Sequence, residues 1–340
     1  MIQTVAAAMI WLLVVCLLLG FRRRRDHSVL TAAITIAVAL TLNIDQVYLG
    51  FDAVLGGRDF VDLLSNISMV VGIYFLSTAI IRAAKPDETV ERRDTAGLVL
   101  LATVIVCLAA SFSAVVTEGS STRFMVDYGG QWPAALYSSI QFVYIGYVVS
   151  VTGVTCFRFR GDMLRPYFRM AFTSIGVGCT FAVLLVLLVL AMDVLHLHGR
   201  LDAMRAISPI YDAAVVAAMT FLCVGLAIPP VARRILRRKQ SATEAELVSD
   251  LTKIWENTTK KRQNVRLVRD TEMISHQDHA QRLHRMLVEV QDALLVEPGL
   301  GSSLDIHDLN VLNAAENYLA GPIVRQVAVR RRKGNRRYDG

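Results

Sequence analysis

The chain has 340 residues, 54% of them hydrophobic, with a mean hydropathy of +0.45 and a formal net charge of +7. A soluble protein of this length has no use for so much apolar surface, and here it is blocked into long runs rather than alternating. That pattern excludes a soluble fold and a membrane barrel and predicts an all-α polytopic membrane protein, because lipid leaves backbone polar groups no partner outside a helix.

Seven runs approach or exceed the roughly 20 residues that cross a bilayer as a helix. They cover about 2–21, 28–48, 62–82, 97–116, 133–156, 170–194 and 210–229. The first run has no positive charge before it and "FRRRR" after it, which predicts a retained helix rather than a cleaved signal peptide. Arg22 to Arg25, the loop with Arg82, Lys85, Arg92 and Arg93, the "FRFRGDMLRPYFR" loop and "RRILRRK" together hold seventeen basic residues. The alternate loops hold four, Arg58, Arg123, Arg200 and Arg205. This bias predicts a plasma-membrane protein with its N-terminus outside and its C-terminus in the cytoplasm. The inner basic loops would rest on anionic lipid headgroups.

Within the spans, prolines 133, 209, 229 and 230 fall at predicted ends, so no broken helix is expected. That weakens, without removing, a transporter reading. Costly polar residues gather toward the outer half. Asn43 and Asp45 come late in the second span, Asp62, Ser65 and Asn66 early in the third. Tyr137, Gln141 and Tyr144 share a face of the fifth. Asp193 ends the sixth span, and Tyr211 and Asp212 open the seventh. The candidate ligand-binding set is Asn43, Asp45, Asp62, Asn66, Tyr137, Gln141, Tyr144 and Asp212, with Asp45 placed deeper than Asp62 or Asp193. The alternative is that these residues cap helices, reach the interface or join helices by hydrogen bonds. Ala213, Ala214, Ala217 and Ala218 form small-xxx-small pairs suited to close helix packing, and homo-oligomerisation stays open.

Several chemistries are excluded or disfavoured. The six lysines, at 85, 239, 253, 260, 261 and 333, all fall in cytoplasmic segments, so no Schiff base to retinal can form in the bundle. No HExxH, nucleophile elbow, P-loop or GxGxxG is present. The five cysteines form no CxxC pair and are expected as small core residues. Asp193, His196 and His198 sit in a predicted outer loop, where interfacial residues are the simpler reading than a partial metal site. No catalytic residue, cofactor or metal is expected.

After residue 239 the composition becomes that of a soluble helical module, expected over 240–325, followed by a basic tail at 326–340. Ser241 and Glu244 have capping-box spacing, and Leu247, Leu251, Ile254 and Trp255 share a face. Leu283, Met286, Leu287, Val290 and Leu294 form an amphipathic stripe. His276, His279 and His284 stand beside that stripe. Too few residues follow them for an ATP-binding kinase domain, so they read as structural. Arg282, Arg285, Glu289 and Asp292 lie on neighbouring rows, either a solvated face with internal ion pairs or a partner-docking surface. The tail's Arg330, Arg331, Arg332, Lys333, Arg336 and Arg337 suit lipid headgroups better than nucleic acid.

The segment "RLHRMLVEVQDALL", through Arg282, Leu283, Arg285, Val288, Glu289, Asp292 and Leu294, with Leu247, Leu251 and Trp255 before it, resembles a family of actinobacterial seven-helix membrane proteins. Members are described as transporters with a C-terminal helical domain of unknown function. This chain would be a divergent member, lacking that family's aromatic near His284 and its second basic residue near Gln291. The residues themselves point to a sensor or regulatory scaffold that couples an outer polar pocket to a cytoplasmic helical module and a cytoplasmic protein partner. The alternative is a small-solute, ion or proton-coupled transporter.

Overall fold

The computed structural model describes residues 2–18, 28–84, 91–117, 119–163, 165–259, 279–297, 299 and 304–335; the side chains at 2, 91–94 and 322–335 are outside this description. Arg22 to Arg25, Lys85, Lys260, Lys261, His276, Arg336 and Arg337 lie outside the described residues, as do the side chains of Arg92, Arg93, Arg330, Arg331, Arg332 and Lys333. The described residues contain no strand. In chain order the helices are α1 (Ile2–Leu18), α2 (Ser28–Leu42), α3 (Asp45–Val54), α4 (Phe60–Ala84), α5 (Glu91–Ser113), α6 (Phe124–Tyr128), α7 (Trp132–Phe159), α8 (Pro166–Leu197), α9 (Leu201–Thr259), α10 (His279–Val296) and α11 (Ile306–Asn335). Five of them are long and apolar enough to cross a membrane, six if α2 and α3 are counted as one bent span. The chain is an all-α, multi-pass membrane protein.

Two compact units divide the chain, Met1–Arg233 and Arg234–Gly340. In the first, one apolar core gathers Leu13 and Leu17 of α1, Ile36 of α2, Ile80 of α4, Val149 and Cys156 of α7, Phe172 and Cys179 of α8 and Leu226 of α9. A second gathers Val70 and Tyr74 of α4, Leu108 and Phe112 of α5, Phe124 of α6 and Tyr137 and Tyr144 of α7. Lipid is as apolar as leucine, so close packing rather than exclusion from water drives helix pairing here. Small residues permit it. A Cβ on Gly72 of α4 would lie 2.5 Å from Ile36 Cγ1 and 3.3 Å from the Ala32 carbonyl oxygen of α2. Where α8 meets α9, a Cβ on Gly225 would lie 2.9 Å from the Ile175 nitrogen. Ser174 Oγ adds a 2.8 Å bond to the Phe221 carbonyl across that interface.

Three expectations are corrected. The second apolar run is not one straight span. Ile44 is extended (φ −78°, ψ 125°), and the chain turns 86° between α2 and α3. The apolar run gave no sign of this because neither proline nor glycine marks the break. Second, Pro209, Pro229 and Pro230 lie inside α9 rather than at helix ends. Membrane helices tolerate such positions where other groups satisfy the freed carbonyls. Third, Ser241 does not open a new helix, since α9 runs through it to Thr259.

The second unit has its own core. Val248, Leu251 and Ile254 of α9 pack with Leu283, Met286, Leu287 and Val290 of α10 and with Val311, Leu312 and Ala315 of α11. Within it, Tyr318 donates a 2.9 Å hydrogen bond to Glu244 Oε1, and Gln291 donates to Glu316 at 2.6 Å.

Candidate functional site

The α4–α7 interface brings four of the sequence candidates together. Asp62 and Asn66 are one turn apart on α4, as are Tyr137 and Gln141 on α7, so each pair presents one polar face to the other helix. Tyr137 donates from its hydroxyl to Asp62 Oδ2 at 2.9 Å. Asn66 Nδ2 donates to Asp62 Oδ2 at 2.9 Å and to the Tyr137 oxygen at 2.8 Å. Gln141 Nε2 donates to Asn66 Oδ1 at 2.9 Å. Tyr137 is 1% and Gln141 4% exposed, while Asp62 and Asn66 are half-buried. Asp62, Asn66 and Tyr137 close a ring in which two donors end on the Asp62 carboxylate, and Gln141 joins it through Asn66. The ring can therefore answer a change of charge or a new ligand at Asp62 by reorganising hydrogen bonds on two helices at once.

Other polar groups on α4 and α7 bond neighbouring helices or each other. Ser65 bonds the Ala39 carbonyl of α2 at 3.0 Å. Ser138 donates to Asp193 Oδ2 of α8 at 2.6 Å, and Ser77 and Thr152 share a 2.6 Å bond further along α4 and α7. Tyr144 is 5% exposed and its buried hydroxyl has no hydrogen-bond partner among the described residues. It belongs to the aromatic core rather than to the ring.

The remaining candidates are placed elsewhere. Asp45, expected to lie deeper than Asp62 or Asp193, is exposed at the start of α3, and Asn43 is half-buried at the α2–α3 break. The bend carries Asp45 out of α2, so its depth along a straight span was an artefact of reading one helix. Asp212 is half-buried in α9, outside the ring. Asp193 and His196 lie within α8, not in a loop, and His198 caps it. Among the described residues no group of three His, Cys, Asp or Glu side chains is placed to hold a metal ion.

In the second unit, the expected charged row divides. Glu289 is 0% exposed, accepting from Trp255 Nε1 at 2.6 Å and from Arg285 Nε at 2.9 Å. Arg282 is half-buried and Asp292 exposed. Reading all four as one solvated or docking face is thus corrected for Glu289, which ties α9 to α10 from inside the core.

A second polar cluster had not been singled out from the sequence. Asp52 of α3 and Asp59, just before α4, are both 0% exposed. Tyr48 donates to Asp59 Oδ1 at 2.7 Å, the Ser121 amide to the same oxygen at 2.6 Å, and Ser120 Oγ to Asp52 Oδ2 at 2.5 Å. Ser121 Oγ in turn bonds Asp127 of α6. The sequence signal was the "GG" of "LGGRDF", which marks a turn that can bring its flanking aspartates together. Gly56 and Gly57 do adopt positive φ (101° and 67°).

No family model, characterised protein or solved structure matches this chain.

Proposed function

We propose that this chain is a membrane sensor or regulatory scaffold in which the Asp62–Asn66–Tyr137–Gln141 ring receives a small ligand or proton and the second unit passes its state to a cytoplasmic protein. The ring carries the reading: a half-buried carboxylate on which the donors of two membrane helices converge is costly in lipid and is by default a functional feature. The second unit supports it with a separate apolar core. Adding α1 and the bent α2–α3 pair to the five long helices gives seven spans. With the basic residues weighted to alternate loops, the N-terminus lies outside the plasma membrane and the C-terminus inside. The resemblance of the α10 segment to the actinobacterial family fits this architecture.

The second reading is a small-solute or ion transporter. The 86° break between α2 and α3 favours it, since interrupted helices mark many transport sites. The two readings separate in one pair of assays. Full-length chain in native membranes and a version ending at Gln240 are crosslinked and compared by mass spectrometry, and the full chain is assayed for proton and solute flux in proteoliposomes. The sensor reading expects a specific cytoplasmic protein captured only by the full chain, and no flux. Flux that persists in the truncated chain and disappears in Asp62→Asn establishes the transporter instead.

A further inference from the structure

Asp59 lies outside the α4–α7 ring and is held more unusually than any residue in it. Its backbone is left-handed at φ 58°, a conformation that aspartate tolerates better than most residues but that still needs support from its surroundings. Its side chain is 0% exposed. Oδ1 accepts two hydrogen bonds, from Tyr48 at 2.7 Å and the Ser121 amide at 2.6 Å, whereas Oδ2 is buried without a partner among the described residues. Its own amide donates to Asp52 Oδ2 at 3.1 Å. The bonds of these two carboxyls join α3, through Tyr48 and Asp52, to the 120–121 segment and, by a long 3.4 Å bond from the Val61 amide, to the start of α4.

Among the described residues, the titratable groups facing Asp59 are Tyr48 and Asp52 on α3, Asp62 on α4 and Asp127 on α6. None of these can carry a positive charge. Arg58 and Arg123, the nearest basic residues in sequence, are exposed. An ionised carboxylate buried here would leave one oxygen unpaired beside other acids, at a cost far above that of a neutral acid. The neutral acid is the cheaper form: Oδ1 is the carbonyl oxygen taking two donors, and Oδ2 carries the hydroxyl, whose unmet hydrogen bond costs far less than an unpaired buried charge.

We propose that the carboxyl of Asp59 is a proton-binding site that latches α3 to the 120–121 segment, holding it when protonated and releasing it when ionised. This goes beyond the sensor reading and applies equally to a transporter, because it concerns what keeps α3 in place. Burial pushes the Asp59 carboxyl above the usual carboxylate range; the Ser121 and Tyr48 hydrogen bonds oppose that, and the charges of Asp52 and Asp127 reinforce it. The latched form therefore holds the proton more tightly than the released form. Latching is strongest at low pH and weakens as pH rises from the ordinary carboxylate range to the raised value of Asp59, beyond which the loss is constant.

The test is hydrogen–deuterium exchange of the full chain in lipid nanodiscs, followed over residues 45–61 between pH 5 and 8.5 in wild type and Asp59→Asn. Asparagine keeps the shape and tolerates left-handed backbone, and it stays neutral at every pH. Taking the ratio of the two exchange rates at each pH removes the intrinsic pH dependence of exchange. The expected result is a ratio that climbs by about tenfold per pH unit within the window and then levels. A ratio flat across the range overturns the proposal, and so does exchange that follows sodium concentration at fixed pH, which would mean a bound cation. Infrared spectra of wild type alone provide a second check should Asp59→Asn not fold. A protonated carboxyl band that persists above the ordinary carboxylate range and fades as pH is raised is expected, and its absence refutes the latch.

Discussion

Replacing Glu289 by alanine should loosen the second unit severely, and the structure sets the size of the effect. The carboxylate is 0% exposed and accepts two hydrogen bonds, from Trp255 at 2.6 Å and Arg285 at 2.9 Å. The Arg285 side chain is itself only 16% exposed. Truncation removes the Glu289 counter-charge from a largely buried guanidinium and the Glu289 acceptor from the indole N–H. Breaking such a buried pair by removing one partner costs about 3–5 kcal/mol. Because partial exposure lets water reach Arg285, the lower end applies, about 3 kcal/mol. That corresponds to exchange of the α10 amides becoming faster by a factor on the order of a hundred. Glu289→Gln retains an acceptor for Trp255 and should cost less, about 1–2 kcal/mol. Exchange of residues 279–296 in the full chain, measured by mass spectrometry, decides the matter. An α10 that exchanges in Glu289→Ala as it does in wild type would show that Glu289 is paired with solvent rather than held in the core.

Three further outcomes are expected. Tyr137→Phe removes one donor to Asp62 and the acceptor for one Asn66 N–H, which should lower the thermal midpoint of the purified chain through a loss of about 1–2 kcal/mol; an unchanged midpoint would mean water replaces the hydroxyl. Gly72→Ala should cost about 1–3 kcal/mol by forcing α4 away from α2, with partial recovery when Ile36→Ala is added, and fully additive losses in chemical unfolding would contradict the contact. Burial, with the nearby Glu244 carboxylate, pushes the Tyr318 phenol up to about 12. The folded state holds that proton more tightly than the unfolded chain, so its stabilising contribution is complete below about pH 10 and is lost between roughly pH 10 and 12. Unfolding midpoints of wild type should fall more steeply over that interval than those of Tyr318→Phe, and parallel curves would refute the pairing.

How much of this was legible in the sequence depends on the range of the signal. Local periodicity revealed the ring in halves: Asp62 with Asn66, and Tyr137 with Gln141, are i, i+4 pairs whose shared faces follow from helix geometry alone. That the two faces meet was left open by the sequence, since their contact spans more than seventy residues of chain. Asp45 was misplaced because an apolar run without glycine or proline conceals a bend at Asn43 and Ile44. Asp52 and Asp59 escaped notice because burial of an aspartate in a connecting turn depends on Tyr48, Ser120 and Ser121, which no periodicity associates with it. Glu289 sat at the margin of the α10 stripe, where a glutamate ordinarily faces water. Its partner Trp255 lies 34 residues away on α9, and only the tertiary structure reveals the pair.

The claim at the centre of the account is that the state of the Asp62 ring reaches the second unit. It is tested most directly by hydrogen exchange of the full chain in proteoliposomes, comparing wild type with Asp62→Asn, which replaces the carboxyl on which the ring converges. The account predicts altered exchange both in α4 and α7 around the ring and in residues 279–296 of α10. Altered exchange around the ring with an unchanged α10 would contradict it.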